Sequence, residues 1–237
     1  MKKSLLALAA LGAFAGAASA QSSVTIYGLV DVAAQKGFGT TNKTIGDTVL
    51  GSRLGFKGTE DLGGGLAANF VLEHRFDPGT GAQTAAVFWQ GRSIAGLSGA
   101  FGAIDLGRDY SVNFLMVQNT IDPFGGDTVA ISRDVGMRAN GKSTVRYNSQ
   151  AEYHFSTNGL NLGAQVAGGN ENGGTMKAYS LAGNYGMGPL YVALGYQRDA
   201  NGLKTLDLGG KYNLGFLTLA AGYSQATPVT GAKSKGA

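Results

Sequence analysis

The chain has 237 residues, 40 of them glycine, no cysteine, 9% aromatic residues and a formal net charge of +4. The missing cysteines exclude a small exported domain stapled by disulfides, and so small a net charge offers no footprint for nucleic acid. Mean hydropathy is close to zero, which suits a soluble protein and equally a membrane barrel that is apolar outside and wet inside.

The first element is a secretory signal. Lys2 and Lys3 form a basic start, Leu5 to Ala18 is apolar, and Ala18-Ser19-Ala20 is a small-x-small cleavage site. The apolar run is too short to cross a bilayer as a helix, so residues 1–20 read as a removed signal peptide. The two lysines leave with it, and the remaining +2 is too small to define a partner by itself. Residues 21–237 read as one domain.

Past the signal, eleven short segments alternate apolar with small or polar residues. They lie near 22–33, 50–59, 66–77, 86–98, 100–109, 142–155, 160–169, 175–186, 189–199, 203–213 and 215–226. No stretch reads as a helix of useful length. The connections alternate between tight turns, such as Asp61-Leu62-Gly63-Gly64-Gly65 and Asn158-Gly159, and longer loops near 34–49, 78–85, 111–141, 170–174 and 200–202. Short turns on one side and long loops on the other are the mark of an all-β, antiparallel transmembrane β-barrel, and a soluble β-sandwich does not need them.

Alternation also assigns faces. Leu54 and Phe56 oppose Arg53 and Lys57, and Leu66, Ala68, Phe70 and Leu72 oppose Asn69, Glu73 and Arg75. A charged side chain turned to lipid costs ~2–4 kcal/mol at the bilayer midplane. The charged face is therefore the lumen.

The connection at 111–141 is long enough to expect a function of it. It carries Asp122-Pro123-Phe124-Gly125-Gly126-Asp127, with Arg108, Arg133, Arg138 and Arg146 in it or beside it. Folded inward, its acids would face the wall arginines and set up a transverse field that favours small hydrated ions. Left outside, it is an external loop with solvated charges. Nucleophilic or zinc chemistry has little to work with: the only histidines are His74, on the face of Phe70 and Leu72, and His154, between Tyr153 and Phe155. Both read as residues of an interfacial girdle, most of the tyrosines read as girdle or lumen-wall residues, and Trp89 reads as an interfacial anchor. No enzyme activity and no cofactor is implied.

Several motifs in order resemble the general trimeric porins of Gram-negative bacteria, of the β-proteobacterial type. They are SVTIYG at 23–28, SRLGFKGTEDLGGGL at 52–66, GLSG at 96–99, LGRDY at 106–110 and DPFGGDT at 122–128. The resemblance runs from Met1 to about Gln225. It implies a 16-stranded barrel in the outer membrane, a homotrimer embedded in lipid and lipopolysaccharide, and passive diffusion of small hydrophilic solutes and ions. It implies that 111–141 is the constriction loop, with Asp122 and Asp127 as its acids around the turn Pro123, Phe124, Gly125 and Gly126. The basic wall implied is Arg53, Arg92, Arg108, Arg138 and Arg146. Arg92 lies one residue beyond the usual family arginine, whose place here is Gly91, so strict alternation flips its face unless a bulge restores it.

The ladder of about eleven strands is odd and stops before it can close, whereas single-chain bacterial barrels are even. Open edges in hydrocarbon leave rows of backbone groups unpaired, at several kcal/mol each. The expectation is a C-terminally incomplete porin barrel. The alternatives are a structural or adhesive surface protein without channel activity and a non-functional fragment.

Overall fold

A computed structural model describes residues 23–36, 43–126, 131, 144–170, 174, 176–228 and 234–236. Among them the chain forms one 12-stranded antiparallel sheet and one separate hairpin. The strands are β1 (Ser23–Leu29), β2 (Ala33–Lys36), β3 (Lys43–Gly46), β4 (Arg53–Gly63), β5 (Leu66–Arg75), β6 (Arg92–Gly99) and β7 (Gly102–Tyr110). They continue as β8 (Arg146–Thr157), β9 (Leu160–Asn170), β10 (Ala178–Met187), β11 (Leu190–Arg198), β12 (Lys204–Asn213), β13 (Thr218–Thr227) and β14 (Ser234–Gly236). In the large sheet every strand pairs with its sequence neighbour, except that β1 pairs with β4 across the β2–β3 hairpin. The expected signal at 1–20 lies outside the described residues.

The eleven expected segments all become strands of this sheet, because period-2 alternation is the one pattern that satisfies lipid on one side and water on the other. Most of the long strands have nine to twelve residues, the length a tilted strand needs to span a bilayer. Two expectations are corrected. The connection expected at 34–49 carries the β2–β3 hairpin. The strand expected from residue 86 begins only at Arg92, because Phe88 and Trp89 belong to the connection before it. There they join Phe56 and His74 in an aromatic cluster: Phe88 lies 4.2 Å from the His74 ring and 4.8 Å from that of Trp89.

His154 is a further correction. Tyr153 is the outward residue, and its hydroxyl donates to the Phe101 carbonyl. His154 falls on the opposite face, where it pairs with the buried Glu152. It is a lumen residue and not part of a girdle.

The outward face is leucine-rich. Leu162, Leu181, Leu194, Leu206 and Leu208 are all exposed. On the inward face, cross-strand register lines up rows of small residues. One row runs Gly163, Ala182, Gly195, Asp207 and Ser224 across β9 to β13. The next row on the same face runs Asn161, Asn184, Ala193, Gly209 and Gly222. Glycine and alanine side by side leave a trough in the wall.

The largest correction concerns that trough. The connection after β7 opens with helix where only loop was expected: α1 (Phe114–Gln118, wound as a π-helix) runs directly into α2 (Asn119–Ile121). Val112, Met116, Val117 and Ile121 bury themselves against Ala182 and Ala193. A Cβ added at Gly195 would collide with Asn113 and Val117, and one at Gly209 with Ile121. Helices this short are marginal alone. Burial at ~1.5–3 kcal/mol for each fully covered aliphatic side chain fixes this one to the wall.

Candidate functional site

The helix is latched as well as buried. The Asp207 carboxyl, at the end of the trough and without solvent exposure, accepts the side-chain amides of Asn113 at 2.5 Å and Gln118 at 2.8 Å. The Asn113 N–H donates to the Ser180 hydroxyl, and the Ser111 hydroxyl donates to Gln197. Each of these wall residues sits on the inward face of its strand, so the alternation that shapes the sheet also sets out the docking points for the loop.

Opposite the docked helix the wall is basic. Arg53 opens β4 and is the direct cross-strand partner of Arg75 at the end of β5. Both guanidiniums donate to the Leu50 carbonyl, at 2.5 and 3.3 Å. Arg53 also donates from Nε to Gly51. Arg75 pairs with Glu73 at 2.9 Å and donates to the Tyr110 hydroxyl at 2.7 Å. Arg146 donates to the Gly91 carbonyl and to the same Tyr110 hydroxyl, with its guanidinium carbon 4.1 Å from the Tyr110 ring centre. The Phe114 ring from the loop stacks on Tyr110 at 5.3 Å. Arg53, Arg75 and Arg146 thus line a cavity of about 380 Å³ together with Tyr110, Phe114, Leu115 and Asn119. We name this cavity the throat. A wider cavity of about 610 Å³, named the mouth, adjoins it, sharing Val49, Arg75 and Arg146 and adding Arg108 and Asn148.

The expected site residues separate into groups. Arg53 and Arg146 meet at the throat, and Arg108 and Arg146 share the mouth. Arg108 reaches the mouth, donating to the Gln90 carbonyl and to Asn148. Next to it, the β7–β8 ladder slips between Gly107 and Asp109, and Ser149 of β8 takes φ 49. Faces therefore cannot be counted through from Glu152 to Arg146. Arg92 needs no bulge: the β5–β6 register is continuous, and its partner is Glu73. Its guanidinium is forked onto Asp109, which is buried, so its charge is matched within the wall.

Asp122 is 2% exposed and lines neither cavity. Its carboxylate accepts the Phe124 N–H at 2.9 Å, and its carbonyl accepts the Gly125 N–H at 3.2 Å. Gly125 and Gly126 take φ 81 and 83 to close the turn, with Pro123 and Phe124 exposed at its tip. Asp127 and Arg138 lie outside the described residues. Sequence reasoning missed Arg75, Tyr110, Phe114 and Asp207 as site residues. The face of Arg75 was readable from alternation. Asp207 also carries a signal, as an acid between Leu206 and Leu208 on the lumen side of its strand.

Comparison with known proteins fits this geometry. A model of the Gram-negative porin family matches residues 7–236. An outer membrane porin of Bordetella pertussis is 33% identical over 232 residues, covering 84% of this chain and 60% of that protein. Outer membrane porin protein 32 of Delftia acidovorans is 48% identical over 118 residues, 46% of this chain and 32% of that one. The chain therefore spans about 60% of the length of the Bordetella relative and about a third of the Delftia one. Among solved structures, an anion-selective porin from Comamonas acidovorans superposes with a TM-score of 0.72 at 27% identity, covering 91% of this chain and 71% of that one. These relatives are outer-membrane proteins of Gram-negative bacteria, the compartment that suits the leucine face of the sheet. By sequence and by the run of its strands, the chain belongs to the Gram-negative porin family.

Proposed function

We propose that the chain forms the wall of a water-filled outer-membrane channel for passive diffusion of small hydrophilic solutes and ions, and that this channel prefers anions. The observation that carries the reading is the throat: three arginines converge on it, and none of the described residues lining it is acidic. Fixed charges at a constriction select by sign without making or breaking a bond. The likeness to a porin described as anion-selective supports the same direction. Assembly as a homotrimer in lipid and lipopolysaccharide, which the family resemblance implies, belongs to this reading.

The role of the loop acids changes in emphasis. Asp122 holds a turn, and Asp127 stays the candidate counter-charge. In planar bilayers under a KCl gradient, the reversal potential should have the sign of an anion-preferring pore. The double variant Arg75→Gln, Arg146→Gln should move it toward cations. No conductance, or an unchanged reversal potential in the double variant, would refute the reading.

A further inference from the structure

The two sides of the throat differ in chemistry. One side is guanidinium: Arg53, Arg75 and Arg146. The other is the loop, whose described lining residues are the apolar Phe114 and Leu115 beside the neutral amide of Asn119. Tyr110, Val49, Leu50 and Val145 are the other described residues of the lining. Such a cavity has one end for a carboxylate and one for hydrocarbon.

We propose that the throat is a binding site for organic carboxylates carrying an aromatic or aliphatic body, and that Phe114 and Leu115 make it discriminate such anions from small inorganic or short-chain ones. The inference rests on the diffusion-channel reading for the route by which solute reaches the site.

Three features support it. The first is donor geometry. Arg53 holds its plane through Nε to Gly51 and one terminal nitrogen to Leu50, which leaves its other terminal nitrogen for a solute. A guanidinium has five donors in a fixed fork that matches a carboxylate.

The second is rigidity. The Tyr110 hydroxyl is held by Arg75 and Arg146 at once, and its ring carries both the Arg146 guanidinium and the Phe114 ring. Wall and loop are therefore joined at the throat by one aromatic residue, so that little ordering remains to be done when a solute binds.

The third is size and access. At about 380 Å³ the throat lies within the ~300–1,000 Å³ of ordinary small-molecule sites. It opens to the mouth through Val49, Arg75 and Arg146, which line both cavities. Leu115 and Asn119 are half-buried and line the throat, so a solute in it meets them.

The probes are benzoate and acetate, which share a carboxylate and differ in the ring. Each is titrated into the folded chain in detergent micelles, with empty micelles subtracted, and followed by calorimetry and saturation-transfer NMR. Benzoate should half-saturate at a concentration about fivefold lower than acetate, the scale of one aromatic contact. Leu115→Asn and Phe114→Ala should each bring benzoate toward the acetate value and leave acetate unchanged. Arg53→Gln should weaken both anions. Leu115 is the safer position, since Phe114 is buried. Equal binding of the two anions by the unaltered chain, or a benzoate preference that survives both loop variants, would overturn the site. KCl current is measured separately. A chain that conducts but does not distinguish the anions keeps the channel and loses the site. A chain that distinguishes them but does not conduct keeps the site and loses the channel.

Discussion

Asp207 is a carboxyl with no exposure to solvent, and it holds its place by accepting two amides from one turn of the loop. If its side chain is cut back to a methyl group, Asn113 and Gln118 are left as buried donors with their acceptor gone, at ~1–3 kcal/mol each. The cross-strand side-chain bond to Ser224 is lost as well, but the ladder partners of residue 207, Gly195 and Ser224, still pair through the backbone. Asp207→Ala should therefore free the loop and leave the sheet intact. Limited proteolysis of the refolded protein should cut within 111–126 in Asp207→Ala, while Asp207→Asn, which keeps one carbonyl oxygen, stays close to the parent. Equal protection of the loop in Asp207→Ala and the parent would show that the latch is redundant. Arg92 is matched by Asp109 within the wall and lines neither cavity, whereas Arg53, Arg75 and Arg146 line the throat, Arg75 while paired with Glu73.

At the scale of elements, the strands were legible because their cause is local: each must alternate to separate lipid from water. The helix was not, because its cause lies on other strands. Val112, Met116, Val117 and Ile121 have the spacing of a helical stripe, but eight residues carry too little intrinsic propensity to be read as helix without their partner. The partner was written elsewhere, as Gly163, Ala182, Gly195 and Gly209 on inward positions of four successive strands. Likewise the inward arginines were readable from parity, but their partners were not: Asp109 and Tyr110 act across 17 to 36 residues, and the β8 irregularity at Ser149 breaks the count. The trough can be tested by filling it. In Gly195→Val the new side chain occupies the space of Asn113 and Val117, although valine suits a strand better than glycine does. Amide exchange should speed up across 112–121 and stay slow in β10, β11 and β12. In the control Gly186→Val, near a turn, the new Cβ meets only the edge of the Tyr191 ring at 3.9 Å, an ordinary contact, and the helix should stay protected. Unchanged exchange of the helix in Gly195→Val would mean that it does not depend on the trough.

At the scale of the whole molecule, one sheet has two solvents. A large contiguous leucine face has no place on a soluble surface, where apolar patches seldom exceed ~300–600 Å², and every strand from β9 to β13 contributes to it. In the described residues the sheet order runs from β1 to β14 without joining its ends, so what holds the faces apart is alternation within each strand, repeated. That makes a paired substitution informative. Leu194 stands at the middle of the nine residues of β11 and faces outward, exposed. Asn184 lies on the neighbouring strand and faces the lumen, where it donates to the Met116 carbonyl at 3.3 Å. An arginine at 194 would sit in hydrocarbon near mid-depth, at ~2–4 kcal/mol. An arginine at 184 would stay on the lumen side and cost two side-chain hydrogen bonds, those with Met116 and Asn161, ~1–3 kcal/mol in all. In refolding into phosphatidylcholine vesicles, scored by the shift in gel mobility between heated and unheated samples, Leu194→Arg should lower the folded-to-unfolded ratio more than tenfold and by more than Asn184→Arg does. If the two variants inserted equally well, the assignment of faces would be wrong. The lumen, the throat and the anion preference would then fall with it, since each depends on which side of the sheet is wet.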